Sequence, residues 1–319
     1  MHSLQKELIS AIVRKAVMEC FSTPDDGLTS GEDPLELFNS QRSITLKKEI
    51  IRAGRKLWKR QYVDGNGGNI SARLSSGYVL CTPTLCSKAD LQIDDLSLVD
   101  MDNRQICGSR RQTSEILLHL EIYKTVPQAK AVVHCHPPYA TAHAIAGVIP
   151  QGNLLPEQEV FVGPVALTSY ETPGTMEFAR TVIPVARQHN TILLASHGVV
   201  CWADTVTHAE WYTEVIETYC KTIMIASHLR SPLPEIPAAK IDDLLAMKKR
   251  LGLALPDARF AVEPDVLPDK VVEVLGNYLD HQVHVRKDPK SLSPKTKEEV
   301  DNLVASMTLQ ILGLFEKSA

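Results

Sequence analysis

Between residues 43 and 230 the spacing of apolar positions changes period several times. Over residues 43–62 apolar side chains recur at helical spacing among many lysines and arginines, and the stretch ends in the turn Asp64-Gly65-Asn66-Gly67-Gly68. Short β-type runs follow at 69–74, 78–82 and 96–100. Residues 114–124 return to helical period, with Ser114 placed as N-cap. The pattern then predicts a strand over 129–135, a helix over 140–145, a strand over 160–167 and a helix over 175–188. A strand over 191–195 and a long helix over 207–228 complete the series. Strands and helices alternating at this spacing predict a layered α/β domain.

The flanks are patterned differently. Residues 4–20 carry Leu4, Leu8, Ile12, Val13 and Val17 at near-helical spacing, followed by a turn-rich stretch over 23–33. Beyond Arg230, three prolines fall within 231–237, and helix-like patterns occupy 238–251, 269–281 and 297–314. The chain therefore divides into an N-terminal helix and linker (1–42), a main domain (43–230) and a C-terminal helical extension (231–319), with no internal repeat.

Composition narrows the class. In 319 residues, 34 Lys and Arg against 38 Asp and Glu give a formal charge of −4, which offers no electrostatic footprint for nucleic acid or an anionic membrane. No run approaches the ~18 apolar residues of a membrane span, and charges interrupt the first twenty positions. Seven cysteines without a CxxC spacing read as reduced thiols, so a cytoplasmic location is expected.

Chemistry enters at residues 131–139, which read AVVHCHPPY. On a strand, residues two apart share a face, so His134 and His136 present two imidazoles side by side before Pro137 ends the strand. A buried apolar strand closing on two polar rings needs something to satisfy them, and two neutral imidazoles plus a third suit a divalent transition ion. The best third ligand is His197, where the apolar run 191–195 passes through Ser196 into His197-Gly198 and the glycine lets the backbone turn sharply, leaving the imidazole projecting from the strand end. His119, His143 and His208 lie in helical patterns and read as packed or exposed helix residues. Three histidines leave the metal shell open, as a catalytic site requires. Glu115, at a helix N-terminus where the dipole favours an anion, is the candidate for moving protons. Hydroxyls at Thr84, Thr113 and Ser114 and the turn around Asn69, with Lys88, Arg110 and Arg111 near in sequence, form the candidate anion-binding group.

In this chain order the pieces resemble the class II aldolase/adducin family over residues 52–227. Gly68-Asn69-Ile70-Ser71 is similar to the family's phosphate turn, Thr82-Pro83-Thr84 to its threonine-proline loop, and Thr113, Ser114 and Glu115 to its paired hydroxyls and acid/base glutamate. The resemblance implies metal ligation by His134, His136 and His197, with Glu115 as a further ligand in the empty site and the proton carrier in the reaction. It implies Asn69, Thr84, Thr113 and Ser114 as substrate-binding residues. It also implies a three-layer α/β/α fold with a mostly antiparallel central sheet, Zn²⁺ or another divalent transition metal ion, and a homotetramer with sites at subunit interfaces. The expected activity is that of a metal-dependent lyase, cleaving a carbon–carbon bond of a small, anionic hydroxy-carbonyl or sugar-derived substrate through a metal-stabilised enediolate. The same site supports decarboxylation, epimerisation or dehydration, and a non-catalytic adducin-like scaffold is the alternative of another class. Two departures stand out. Leu85 replaces a glycine of the sugar-phosphate enzymes, and no tyrosine occurs at 155–157, where Glu157 and nearby Glu159 are the polar groups.

Overall fold

The computed structural model describes residues 33–251. The helices expected over 4–20, 269–281 and 297–314 lie outside the described residues.

Two capped helices open this part of the chain. Asp33 caps α1 (Pro34–Asn39) by accepting the Leu35 N–H, and Ser40 caps α2 (Gln41–Lys59) by accepting the Ser43 N–H. Helix α1 thus occupies part of the stretch read as linker. The strands follow as β1 (Asn69–Arg73), β2 (Tyr78–Cys81), β3 (Ser97–Asp100), β4 (Gln105–Cys107), β5 (Ala131–Cys135), β6 (Ala166–Leu167), β7 (Thr191–Leu194) and β8 (Gly198–Ala203). Between and after them run α3 (Ile116–Thr125), α4 (Pro138–Ala146), α5 (Met176–Arg180), α6 (Ile183–Ala186), α7 (Val206–Leu229) and α8 (Ala238–Arg250).

The strands form one eight-stranded sheet in the order β4-β3-β2-β1-β5-β8-β7-β6. Every neighbouring pair is antiparallel except β6–β7. Side-chain alternation sorts the two faces. Ile70 and Ala72 of β1, Ala131 and Val133 of β5, and Val199 and Cys201 of β8 pack with α2, α4 and α7 on one face. Val132, Val200 and Trp202 pack on the other with Ile116, Leu118, Leu120 and Ile122 of α3 and with Phe178, Val182 and Ala186 around α5 and α6. The result is a helix-flanked, mostly antiparallel sheet, the three-layer architecture expected from the sequence. Among the described residues no helix is long and apolar enough to cross a membrane.

Four local readings change. The strand expected over 160–167 is a π-helical turn, Gln158–Val162, then the two-residue β6, because Gly163 at φ +75° returns its N–H to Gln158 O and Pro164 follows. The helix over 175–188 divides into α5 and α6, since Pro184 has no N–H for the bond that would span the break. Helix α3 begins one residue later than expected, with Glu115 and not Ser114 at the N-cap position. Strand β8, buried at every residue, is a continuous apolar run without alternation and escaped a period-based reading.

Candidate metal centre

The site forms where β5, β1 and β8 lie side by side. His134 is paired with Asn69 of β1 and Val200 of β8. Just past the strand, the His136 N–H donates to Tyr62 O at 2.7 Å. Pro137 and Pro138 then turn the chain into α4, whose free N–H groups at Tyr139 and Ala140 donate to the buried Glu217 carboxylate of α7 at 3.0 and 2.8 Å. A carboxylate from another helix thus anchors the turn that carries His136.

His197 sits on the β7–β8 hairpin, where Leu194 faces Gly198 across a three-residue loop. Ser196 makes the left-handed turn, at φ +53°, and the His197 N–H closes it on Leu194 O at 3.0 Å. Gly198 serves a different purpose from the turn the sequence assigned it. A Cβ there would meet Cys135 O at 2.6 Å and His136 Cδ2 at 2.7 Å, so only glycine lets the hairpin press against the His134–His136 strand end.

These elements bring His134, His136 and His197 together, with one ring nitrogen of each within 4.8 Å of the others. The His134 Nδ1–H donates to Val199 O at 2.9 Å, which turns the Nε2 lone pair toward the cluster. His136 Nε2 lies only 3.1 Å from that atom, a spacing two lone pairs tolerate only with a proton or a cation between them. Burial drives the His134 imidazole well below its usual range, helped by His136 and His197 and opposed by the Val199 bond. Burial also lowers His136, with His197 adding to it and Asp64 opposing, and lowers His197 against the pull of Glu115. Nδ1 of His197 is buried without a hydrogen-bond partner. Neutral rings, converging nitrogens and an adjacent carboxylate fit a divalent transition ion.

That carboxylate is Glu115. Its Oε2 is 3.4 Å from His134 Nε2 and its Oε1 is 3.5 Å from His197 Nε2. Asn69 Nδ2 donates to Oε2 at 2.7 Å. Behind Asn69 the polar chain continues through His119 Nε2 on Asn69 Oδ1 at 2.6 Å, Ser71 Oγ on His119 Nδ1 at 2.6 Å, and Tyr123 OH on Ser71 Oγ at 2.8 Å. His119 is fully buried, and desolvation pushes its pKa from 6.5 down to about 3. The packed-helix reading of His119 holds, but its place in this chain was missed. The available signal was its position four residues after Glu115, on the same helix face.

The expected substrate-binding residues are placed unevenly. Asn69 is buried, donates one N–H to Glu115 and accepts at its oxygen from His119. Thr113 is buried, its N–H on Thr82 O, and the Thr84 N–H bonds to Arg111 O, so the two hydroxyl loops are laced together. Ser114 is exposed. Arg110 turns away to pair with Asp95 at 2.6 Å. Lys88 is almost fully buried, holding Asn66 O at 3.0 Å and Cys86 O at 2.8 Å, and so ties the glycine-rich turn to the threonine loop. Burial lowers its ammonium to about 8, against the field of Glu115.

Comparison with known proteins places this geometry in context. Residues 48–224 match the family model for the class II aldolase and adducin N-terminal domain. Over 182 residues the chain is 32% identical to a 3-oxo-tetronate 4-phosphate decarboxylase of Haemophilus influenzae, covering 56% of this chain and 86% of that protein. Over 174 residues it is 35% identical to an L-fuculose phosphate aldolase of Methanococcus vannielii, covering 54% of this chain and 93% of that protein. The solved structure of YgbL from Escherichia coli superposes with a TM-score of 0.59 at 30% identity, over 63% of this chain and 98% of that one.

Proposed function

Because the chain belongs to the class II aldolase and adducin N-terminal domain family, we propose that it is a metal-dependent lyase that breaks a carbon–carbon bond in a small phosphorylated hydroxy-carbonyl compound. One observation carries the reading. The nitrogens of His134, His136 and His197 converge within 4.8 Å, and the Glu115 oxygens stand 3.4 and 3.5 Å from two of them. A non-catalytic scaffold has no use for such an arrangement.

His134, His136 and His197 would hold the ion, with Zn²⁺ the best match to three imidazoles and an open position. Once bound, that ion supplies Lewis acidity, drawing off the negative charge that develops on the substrate's oxygens as the bond breaks. Glu115 accepts or returns the proton at the carbon next to the cleaved bond. Asn69 holds Glu115 Oε2, fixing the carboxylate against the rings. Thr84, Thr113 and Ser114, with the second N–H of Asn69, receive the distal anionic end. The buried Lys88 ammonium lies behind these loops and adds its positive field to theirs.

Aldol cleavage and decarboxylation both break a carbon–carbon bond and leave the charge on the same oxygens, so this site serves either. The test joins metal analysis to two assays. Purified protein should contain about one transition ion per chain, and His134→Ala should lose it. The loaded protein should either cleave L-fuculose phosphate or release CO₂ from 3-oxo-tetronate 4-phosphate. A wild-type protein that takes up no metal even on reconstitution overturns the reading in favour of the scaffold.

A further inference from the structure

We infer that His119, together with Ser71 and Tyr123, is a positioning relay for the acid/base carboxylate, fixing the Asn69 amide so that its N–H and not its oxygen faces Glu115. The inference deepens the reading of Glu115 given above and rests on it for its catalytic meaning, although the relay itself is a statement about hydrogen bonds.

Glu115 presents carboxylate oxygens, and Asn69 stands 2.7 Å from Oε2. A carboxylate accepts, so the amide must turn its NH₂ toward Glu115 and its Oδ1 the other way. Oδ1 meets His119 Nε2 at 2.6 Å, so that ring nitrogen must carry the hydrogen. His119 lies at full burial, without a carboxylate partner among the described residues, and a neutral ring protonated at Nε2 has a bare Nδ1. Nδ1 therefore accepts from Ser71 Oγ at 2.6 Å, and Ser71 in turn accepts from Tyr123 OH at 2.8 Å. The donors run in one direction, Tyr123 to Ser71 to His119 to Asn69 to Glu115. If His119 took the opposite tautomer, every link would reverse, and Asn69 would place its oxygen against a carboxylate.

The topology is suited to this. Asn69 and Ser71 are two apart on β1 and share the face toward α3, while Glu115, His119 and Tyr123 are spaced four apart along α3. Two rows of side chains thus interleave, and the links are buried, so water does not compete for them. A relay of this kind touches no substrate and sets where the carboxylate waits.

The first experiment reads the relay without any reaction. Full-length protein labelled with ¹⁵N-histidine is examined by long-range ¹H–¹⁵N correlation, metal-free and at neutral pH, with His119→Gln identifying the signal. The expected spectrum is that of a neutral ring with hydrogen on Nε2. A ring protonated at Nδ1, or an imidazolium, overturns the relay whether or not the lyase reading stands. The second uses whichever of the two assays is active. His119→Phe should retain its metal and its KM, while kcat falls about a hundredfold as Glu115 loses its fixed geometry. His119→Gln, whose side-chain NH₂ can still donate to Asn69 Oδ1, should recover at least a tenth of the wild-type kcat. Tyr123→Phe removes only the far donor and should lower kcat by a factor of roughly three. Equal kcat in wild type and His119→Phe overturns the proposal. So does a fall in kcat that Gln fails to rescue when both variants show wild-type melting temperatures and metal content.

Discussion

The protein holds histidines in two adjoining regions that share Glu115 as their border, and they differ in how fully their hydrogen bonds are met. At the ends of β5 and the β7–β8 hairpin three rings converge, with the Nε2 atoms of His134 and His136 3.1 Å apart, and Nδ1 of His197 is buried without a partner. Behind Glu115, His119 has both nitrogens matched, one to Ser71 and one to Asn69. Burial lowers the pKa in both places, so desolvation alone does not tell them apart. The difference is in what remains to be satisfied. An interior that leaves ring nitrogens facing one another can take an ion between them, whereas one that pairs every donor has fixed a neighbour.

Removing a ligand should produce the largest change. His134→Ala should abolish metal binding and lower turnover by at least about a thousandfold, because the Lewis acid leaves with the ligand. Elemental analysis beside the activity assay checks both halves. Glu115→Gln sharpens the border between the two regions. It keeps shape and bulk, so metal content should persist while kcat falls about 10²- to 10⁴-fold. Full activity in the Gln variant would remove Glu115 from the chemistry.

A smaller effect is expected where the fold supports the site. Glu217 satisfies the Tyr139 and Ala140 N–H groups beside His136. Glu217→Ala leaves one buried and one half-buried donor without an acceptor and should cost on the order of 2 kcal/mol in urea denaturation. Metal affinity should weaken with it, since α4 and His136 share that turn.

The paired region should also reveal itself in acid. His119 titrates near 6.5 when unfolded and at about 3 when folded, so between those values the unfolded chain binds the extra proton. Its contribution to stability is therefore complete above about pH 6.5 and is lost as pH falls toward 3, with a limiting slope of about 1.4 kcal/mol per pH unit. In denaturation curves collected from pH 7 to pH 4, His119→Gln should show a shallower slope than wild type.

The sequence made the grouping of the three histidines legible because their signals are local. The HxH at 134–136 closes an apolar strand, and His197 follows another apolar run. Glu115 stood out by its place at a helix N-terminus, and the family's order of motifs added to that. What escaped was what depends on register between distant segments. Asn69, Ser71, His119 and Tyr123 meet only because β1 lies against α3, and none of them carries a motif for that contact. Gly198 was read as a turn residue, yet its constraint is the backbone of Cys135 across the sheet, which no local pattern encodes. Strand β8 was hidden for a related reason, since a strand buried on both faces loses the alternation that marks an exposed one. Pro164 and Pro184, by contrast, were visible in the sequence, and an expected strand and an expected helix were nonetheless drawn through them.

Backbone strain falls in the loops that follow β2 and β7 and not behind Glu115, and here the expected effect is smallest. Leu85 and Ser196 occupy the left-handed region at φ +51° and +53°, in the threonine loop and the His197 hairpin, while none of the four residues behind Glu115 has a positive φ. Leu85 is 79% exposed, so no packing of its side chain offsets the conformation. The left-handed form costs a non-glycine residue roughly 1–2 kcal/mol. Glycine removes that cost but adds about 0.5–1 kcal/mol of entropy loss on folding. Leu85→Gly should therefore leave stability within about 1 kcal/mol of wild type, on the stabilising side. The loop already has a glycine's conformation, so the substitution changes bulk at its rim and not its path. With that bulk removed beside the threonine loop, KM for a phosphorylated substrate should fall while kcat holds. A destabilised Leu85→Gly protein would mean that the leucine makes contacts in solution that outweigh its backbone cost, and the strain assigned to that loop would not stand.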